Sequence, residues 1–177
     1  MNEIINYIKQ FIVYYILYIM NNQQQIQQTL ADEFIIELLE TTVLDLNNTK
    51  MYIPDIHYGK VIKVYDGDTI TIATQLYNGS LVPKKEMYKF NVRLSGIDTP
   101  EIKTSNVVEH EHAIVARDAL LTLVMGKVVR LENISYDKYG RILCKIFLDD
   151  LNICDWMVEH NYAVVYNGGT KLKWELD

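Results

Sequence analysis

Near Met51 the hydrophobic pattern of this chain changes its period, and that change limits the possible folds more than any other feature. Before it, apolar residues recur at helical spacing; after it, they alternate. In residues 88–95, Tyr88, Phe90, Val92 and Leu94 alternate with Lys89, Asn91, Arg93 and Ser95, so the two sets face opposite sides of a strand and Arg93 points away from the core. Residues 61–65 and 69–72 are rich in β-branched and aromatic side chains and flank Asp66-Gly67, which predicts a hairpin. Residues 127–134 and 141–148 read as two more strands, the second with Ile142, Cys144, Ile146 and Leu148 opposite Arg141. Helices are predicted over 113–124, ended by Gly126, and over 152–160, where Ile153, Trp156 and Met157 make a core face. Five short strands with two interleaved helices give an α+β fold that is mainly β: a five-stranded, OB-type Greek-key barrel capped by helices.

Residues 1–50 read as a separate helical, low-complexity extension, and residues 51–177 as the barrel domain. Residues 4–20 are mostly apolar, but Asn6, Lys9 and Gln10 interrupt them. Three readings stand: a membrane anchor or uncleaved signal, a helix packed on the body or on a partner, or a cleaved signal. On the first and third the chain is anchored or secreted; otherwise it is intracellular. The stretch NNQQQIQQ at 21–28 reads as a polar linker between two helices, the second being an amphipathic helix over 30–46 with Phe34, Leu38, Leu39 and Val43.

The net charge of −6 does not exclude a nucleic-acid partner, because it is unevenly placed. Residues 1–50 hold two lysines against six carboxylates and so carry −4; residues 51–177 hold fifteen basic groups against seventeen acids. Cys144 and Cys154 make neither a disulfide framework nor a zinc set and are expected to be reduced and structural.

Three segments place acids and arginines at turns or strand ends, where a rigid scaffold displays functional groups. They are Asp66-Gly67-Asp68, the run from Arg93 to Glu101, and Asp137-Lys138-Tyr139-Gly140-Arg141. Taken singly, each is an ordinary turn. Together they hold hard oxygens of the kind calcium prefers, from Asp68, Asp98 and the Thr99 carbonyl, and two guanidinium groups, Arg93 and Arg141, suited to phosphate oxygens.

The ordered set VYDGDTI, RLSGIDTPE and DKYGR, with AVVYNGGTK further on, resembles the staphylococcal nuclease, or thermonuclease, family over roughly residues 58–171. The resemblance implies that Asp68 and Asp98 are Ca2+ ligands, that Thr99 gives its carbonyl, and that Asp66 is an acid near the metal rather than a ligand. It implies that Arg93 and Arg141 clamp the scissile phosphate while Glu101 orients or deprotonates the attacking water. Lys138 and Tyr139 match nucleotide-contacting positions, and Tyr166 matches the base-stacking tyrosines approximately. The implied activity is calcium-dependent hydrolysis of phosphodiester bonds in DNA or RNA, single-stranded or unwound, leaving 3′-phosphate ends. A monomer is expected. The alternative is a non-catalytic OB-fold module that binds single-stranded nucleic acid or protein. Departing from the family, the chain reaches Asp177 without room for its last long helix. The run Glu109-His110-Glu111-His112 reads as a solvated helix start, because alternating residues cannot share one helix face. His57 and His160 are expected to be structural.

Overall fold

The computed structural model describes residues 2–76 and 86–169, and the backbone alone for residues 2–8. Thr170 and Lys171, which close the AVVYNGGTK segment, lie outside the described residues. The chain divides into two compact units, Met1–Met51 and Tyr52–Asp177.

The first unit is dominated by one helix, α1 (Asn2–Thr41). The polar stretch at 21–28 is therefore not a linker, and the two expected helices are one. Glutamine is a good helix former, and nothing in the stretch breaks a helix as Gly or Pro would. Bonds across one turn also support it: Gln28 Nε2 donates to Asp32 Oδ1 at 2.9 Å and the Thr29 hydroxyl to the Gln25 carbonyl at 3.0 Å. The helix ends at Thr41, short of the expected 46, where Asp45 Oδ1 accepts the backbone N–H groups of Asn47 and Asn48 in a turn. Every side chain from Phe11 to Met20 is exposed. Among the described residues, no helix is long and apolar enough to cross a membrane.

The second unit is the barrel. Its elements run β1 (Tyr58–Asp66), β2 (Thr69–Thr74), β3 (Tyr88–Leu94), β4 (Ile97–Asp98), α2 (Val107–Val124), β5 (Val128–Tyr136), β6 (Ile142–Leu148), β7 (Leu151–Asn152), α3 (Ile153–Glu159) and β8 (Val164–Val165). The sheet order β3-β2-β1-β5-β6 is closed by parallel pairing of β3 with β6, which makes the five-stranded OB-type barrel. Closure buries Ile70, Ile72, Val92, Leu94, Ile142 and Ile146 completely or nearly so, and α2 and α3 add Ala116, Leu120, Ile153 and Met157. Each large aliphatic side chain so buried contributes about 1.5–3 kcal/mol.

Three local features place the functional segments. Helix α2 starts six residues earlier than its apolar face suggests, because Asn106 caps it by accepting from the backbone N–H groups of Val108 and Glu109. The β1–β2 turn needs Gly67 for space rather than for a left-handed backbone: a Cβ there would lie 2.8 Å from Thr99 Cγ2 and 3.0 Å from Ala116 Cβ. The turn can thus press against Thr99 and α2 only as glycine. A register shift between Val61 and Lys63 turns both Ile62 and Lys63 outward.

Cys144 and Cys154 are free and buried, and burial pushes their thiols up to about 12 and about 11, so both remain protonated at neutral pH. Trp156 is half-buried, unlike Ile153 and Met157, and stacks on His160 at 4.3 Å between ring centres. His57 pairs with Asp55 at 3.1 Å on the surface.

Candidate active site

Strand alternation sends Val92 and Leu94 into the core and therefore Arg93, between them, to the outer side of β3. There it meets two carboxylates. Nη1 pairs with Asp68 Oδ2, and Nη2 donates to Asp98 Oδ1 at 3.0 Å and to the Ile97 carbonyl at 3.3 Å. Asp68 reaches this point because Thr69, the first residue of β2, lies opposite Arg93 in the ladder. Asp98 reaches it through β4, which follows the Ser95-Gly96 turn. Asp68 and Asp98 are almost fully buried, as are Thr69 and Thr99 beside them.

The second arginine comes from the β5–β6 turn. Asp137 organises that turn alone: Oδ1 accepts from the backbone N–H groups of Tyr139 at 2.8 Å and Arg141 at 2.9 Å, while Oδ2 accepts from Arg141 Nε at 2.6 Å. Gly140, at φ +80°, supplies the left-handed residue that the turn requires. Burial opposes ionisation of Asp137, but the hydrogen bonds from Arg141 and Tyr139 outweigh it and hold the carboxyl below its ordinary range. Arg141 Nη1 then donates to Thr69 Oγ1 at 3.4 Å, and that hydroxyl donates to Asp68 Oδ1 at 2.8 Å. A continuous polar chain therefore joins Arg141, Thr69, Asp68, Arg93 and Asp98.

These groups open onto a cleft of about 940 Å3. Asp66, Asp68, Arg93, Thr99, Glu101, Lys138, Tyr139, Arg141 and Tyr166 all line it; Asp98 does not, and is linked to it through Arg93. Asp66 accepts the backbone N–H of Asp68 at 3.2 Å. Tyr139 is exposed, with the Lys138 ammonium 5.0 Å and the Arg141 guanidinium 5.6 Å from its ring centre. Tyr166 arrives from the far end of the domain because β8 pairs with β4; its N–H donates to the Gly96 carbonyl at 2.9 Å and its hydroxyl to that of Gly169 at 2.8 Å.

The cleft is short of positive charge at its deep end. Burial, and then the neighbouring Asp66 carboxylate, push Asp68 up to about 7 despite the Arg93 pair. Asp66, Asp68 and Asp98 offer oxygen only, the donor type a hard divalent cation takes. Among the described residues, no group of three or more His, Cys, Asp or Glu side chains is assembled to hold a metal. An ion here would thus use Asp68, Asp98 and the Thr99 carbonyl, with water or a phosphate oxygen completing the shell. The donor chemistry fits calcium on those terms.

Four side chains that sequence reasoning did not assign to the site support it. Thr69 and Asp137 connect and aim Arg141. Glu109 and His110 fasten the segment that carries Glu101: Glu109 Oε1 accepts the Glu101 N–H at 3.2 Å, Oε2 accepts the Thr104 hydroxyl at 2.7 Å, and His110 Nδ1 meets the Ile102 carbonyl at 2.8 Å. The run Glu109–His112 does start a helix, but its first two members are bound rather than merely solvated. Only their position one turn into a capped helix could have revealed this, and the cap was not read from the sequence.

The fold defines an OB-type barrel, and the cleft defines, within that class, a site pairing buried carboxylates with two outward guanidinium groups. Residues 91–175 match the family described as staphylococcal nuclease homologue. Similar proteins include an uncharacterised endonuclease of Escherichia coli, 34% identical over 113 residues, covering 63% of this chain and 62% of that protein. An uncharacterised protein of Methanocaldococcus jannaschii is 32% identical over 141 residues, 66% of this chain and 63% of its own. A staphylococcal-like nuclease of Arabidopsis thaliana is 35% identical over 91 residues, 49% of this chain and 26% of its own. The chain spans 62% of the length of the first of these relatives. Over residues 91–175 the barrel domain is similar to staphylococcal nuclease homologues.

Proposed function

We propose that the chain is a calcium-dependent nuclease that hydrolyses phosphodiester bonds in DNA or RNA and leaves 3′-phosphate ends. The observation that carries this reading is the joining of Arg93 and Arg141 through Thr69 and Asp68 at one cleft. Two guanidinium groups so linked can hold the equatorial oxygens of one phosphate, and they act where charge grows in the transition state. The endonuclease and nuclease names of the similar proteins support it.

In this reading Arg93 and Arg141 bind and orient the phosphate. Glu101, presented on the loop fastened by Glu109, orients the water that attacks in line with the departing 5′ oxygen. Its task in this reading is chiefly to position that water. Lys138 and Tyr139 flank the nucleotide, and Tyr166 offers a face for a base. Calcium, when bound by Asp68, Asp98 and the Thr99 carbonyl, supplies charge for the phosphate oxygen and lowers the pKa of nearby water.

The test is cleavage of heat-denatured DNA and of RNA by the full chain with calcium, with chelator, and with magnesium alone. Calcium-restricted cleavage with 3′-phosphate ends is expected. A folded chain that retards single strands but cuts none under any of these conditions would make it a binding module instead.

A further inference from the structure

The outer side of β3 does not end at Arg93. In the β2–β3 ladder Thr69 faces Arg93, Thr71 faces Asn91 and Ala73 faces Lys89; in the β1–β2 ladder Lys63 faces Thr71 and Lys60 faces Ala73. Cross-strand partners share one side of a sheet, and the alternate residues Ile70, Ile72, Val92 and Leu94 fill the core. Three rows therefore follow one another on the outer face: Arg93 with Thr69, then Asn91, Thr71 and Lys63, then Lys89, Ala73 and Lys60. No carboxylate belongs to the last two rows. Asp66 ends β1 at the cleft, and Glu86, ahead of β3, is engaged by the Tyr88 hydroxyl at 3.0 Å. Lys60, Lys63 and Lys89 are all exposed. The register shift after Val61 is what puts Lys63 outward, and its ammonium lies 5.6 Å from the centre of the exposed Tyr65 ring.

We propose that this face is a track for a single-stranded nucleic acid, leading from the cleft along β3, β2 and β1, with Lys63, Lys89 and Lys60 on successive phosphates and Tyr65 against a base. Two observations select this occupant. The face is continuous with the arginine cleft, sharing Arg93 as its first row, and its charge is complementary to a phosphate backbone in a domain whose overall charge is negative. The rows are two residues apart, about 6.6 Å each and about 13 Å from Arg93 to Lys89, so the track spans a few nucleotides. An exposed aromatic ring beside lysines on this face suits unpaired bases, whose faces are open to stacking. The proposal deepens the nuclease reading and rests on the cleft being the place where a strand is held.

The test uses the full chain and the triple variant K60Q/K63Q/K89Q, which removes three charges from exposed positions outside the catalytic and metal-binding groups. Fluorescence anisotropy with a labelled 12-nucleotide single strand, in chelator so that no cleavage occurs, reads the track directly. The expected result is affinity lower by tenfold or more at low salt and a slope of log K against log salt shallower by about 2, at about 0.7 per contact for three contacts. The expected loss is the same for DNA and RNA strands, and absent for a dinucleotide that fills only the cleft. In calcium, KM for the 12-mer rises while kcat and dinucleotide cleavage stay level. Unchanged affinity and slope would overturn the track, and an equal loss with a 12-base-pair duplex would overturn its assignment to single strands. Wild-type chain that cuts nothing, yet loses affinity and slope in the variant, would remove the nuclease reading and keep the track.

Discussion

The two walls of the cleft carry one arginine each, held in opposite ways. Arg93, with its side chain 13% exposed, is fixed between two buried carboxylates by strand register and core packing, so its position is a property of the whole barrel. Arg141, 29% exposed, is fixed by one aspartate four residues before it, so its position is a property of one turn. The first wall should therefore couple catalysis to stability more tightly than the second.

The sharpest break of that comparison is removal of each guanidinium. Arg93→Ala and Arg141→Ala should each lower the cleavage rate by about 10³-fold or more. Arg93→Ala should also lower unfolding free energy by about 3 kcal/mol, because it leaves Asp68 and Asp98 buried without their cation. Arg141→Ala should lower stability less than Arg93→Ala, since Asp137 keeps the backbone N–H groups of Tyr139 and residue 141 as hydrogen-bond donors. Equal stability of the two variants in urea would erase the distinction.

Gly67→Ala probes the buried wall without touching a charge. The added methyl group meets Thr99 and Ala116, so stability should fall by about 1–3 kcal/mol in denaturant titration, and calcium affinity should fall with it as Thr99 is displaced. Retained calcium affinity would show that the turn and Thr99 move independently.

Glu109→Ala tests whether the Glu101 loop behaves like the buried wall or the exposed one. Loss of both acceptors should lower kcat by about 10- to 100-fold with KM nearly constant, as a misplacement of about 1 Å can. Glu109→Gln, which keeps the acceptor oxygen, should restore most of it. A rise in KM with kcat intact would place Glu109 in substrate binding.

The smallest effect concerns pH. The Asp137 carboxyl titrates below its ordinary 3.8 when folded, so its contribution to stability is complete above that value and is lost as pH falls through the folded one. Asp137→Asn should flatten the acid limb of the stability profile in that window by lowering stability above it, so that the variant and wild-type profiles converge as pH falls. A wild-type profile that is already flat there would contradict the hydrogen bonds drawn to this carboxylate.

Much of this was legible in the sequence because it depends on local periods. Alternation around Arg93 gave the strand and the outward side chain, and the acids and glycines of the three turns gave the groups that line the cleft. The polar stretch at 21–28 misled because composition suggested a linker, whereas its glutamines carry no local signal against a helix. Asn106 as a cap was missed because the apolar face of α2 begins only at Ala113.

By itself, the sequence determined which residues turn outward and which chemistry they bring, since side-chain direction follows from the two-residue period of a strand. Only the tertiary structure decided which of them meet. The joining of β3 to β6 closes the barrel, the pairing of β4 with β8 brings Tyr166 to the cleft, and Thr69 links arginines 48 positions apart. Those contacts are long-range, and they are set by register and core packing rather than by any neighbour in the chain.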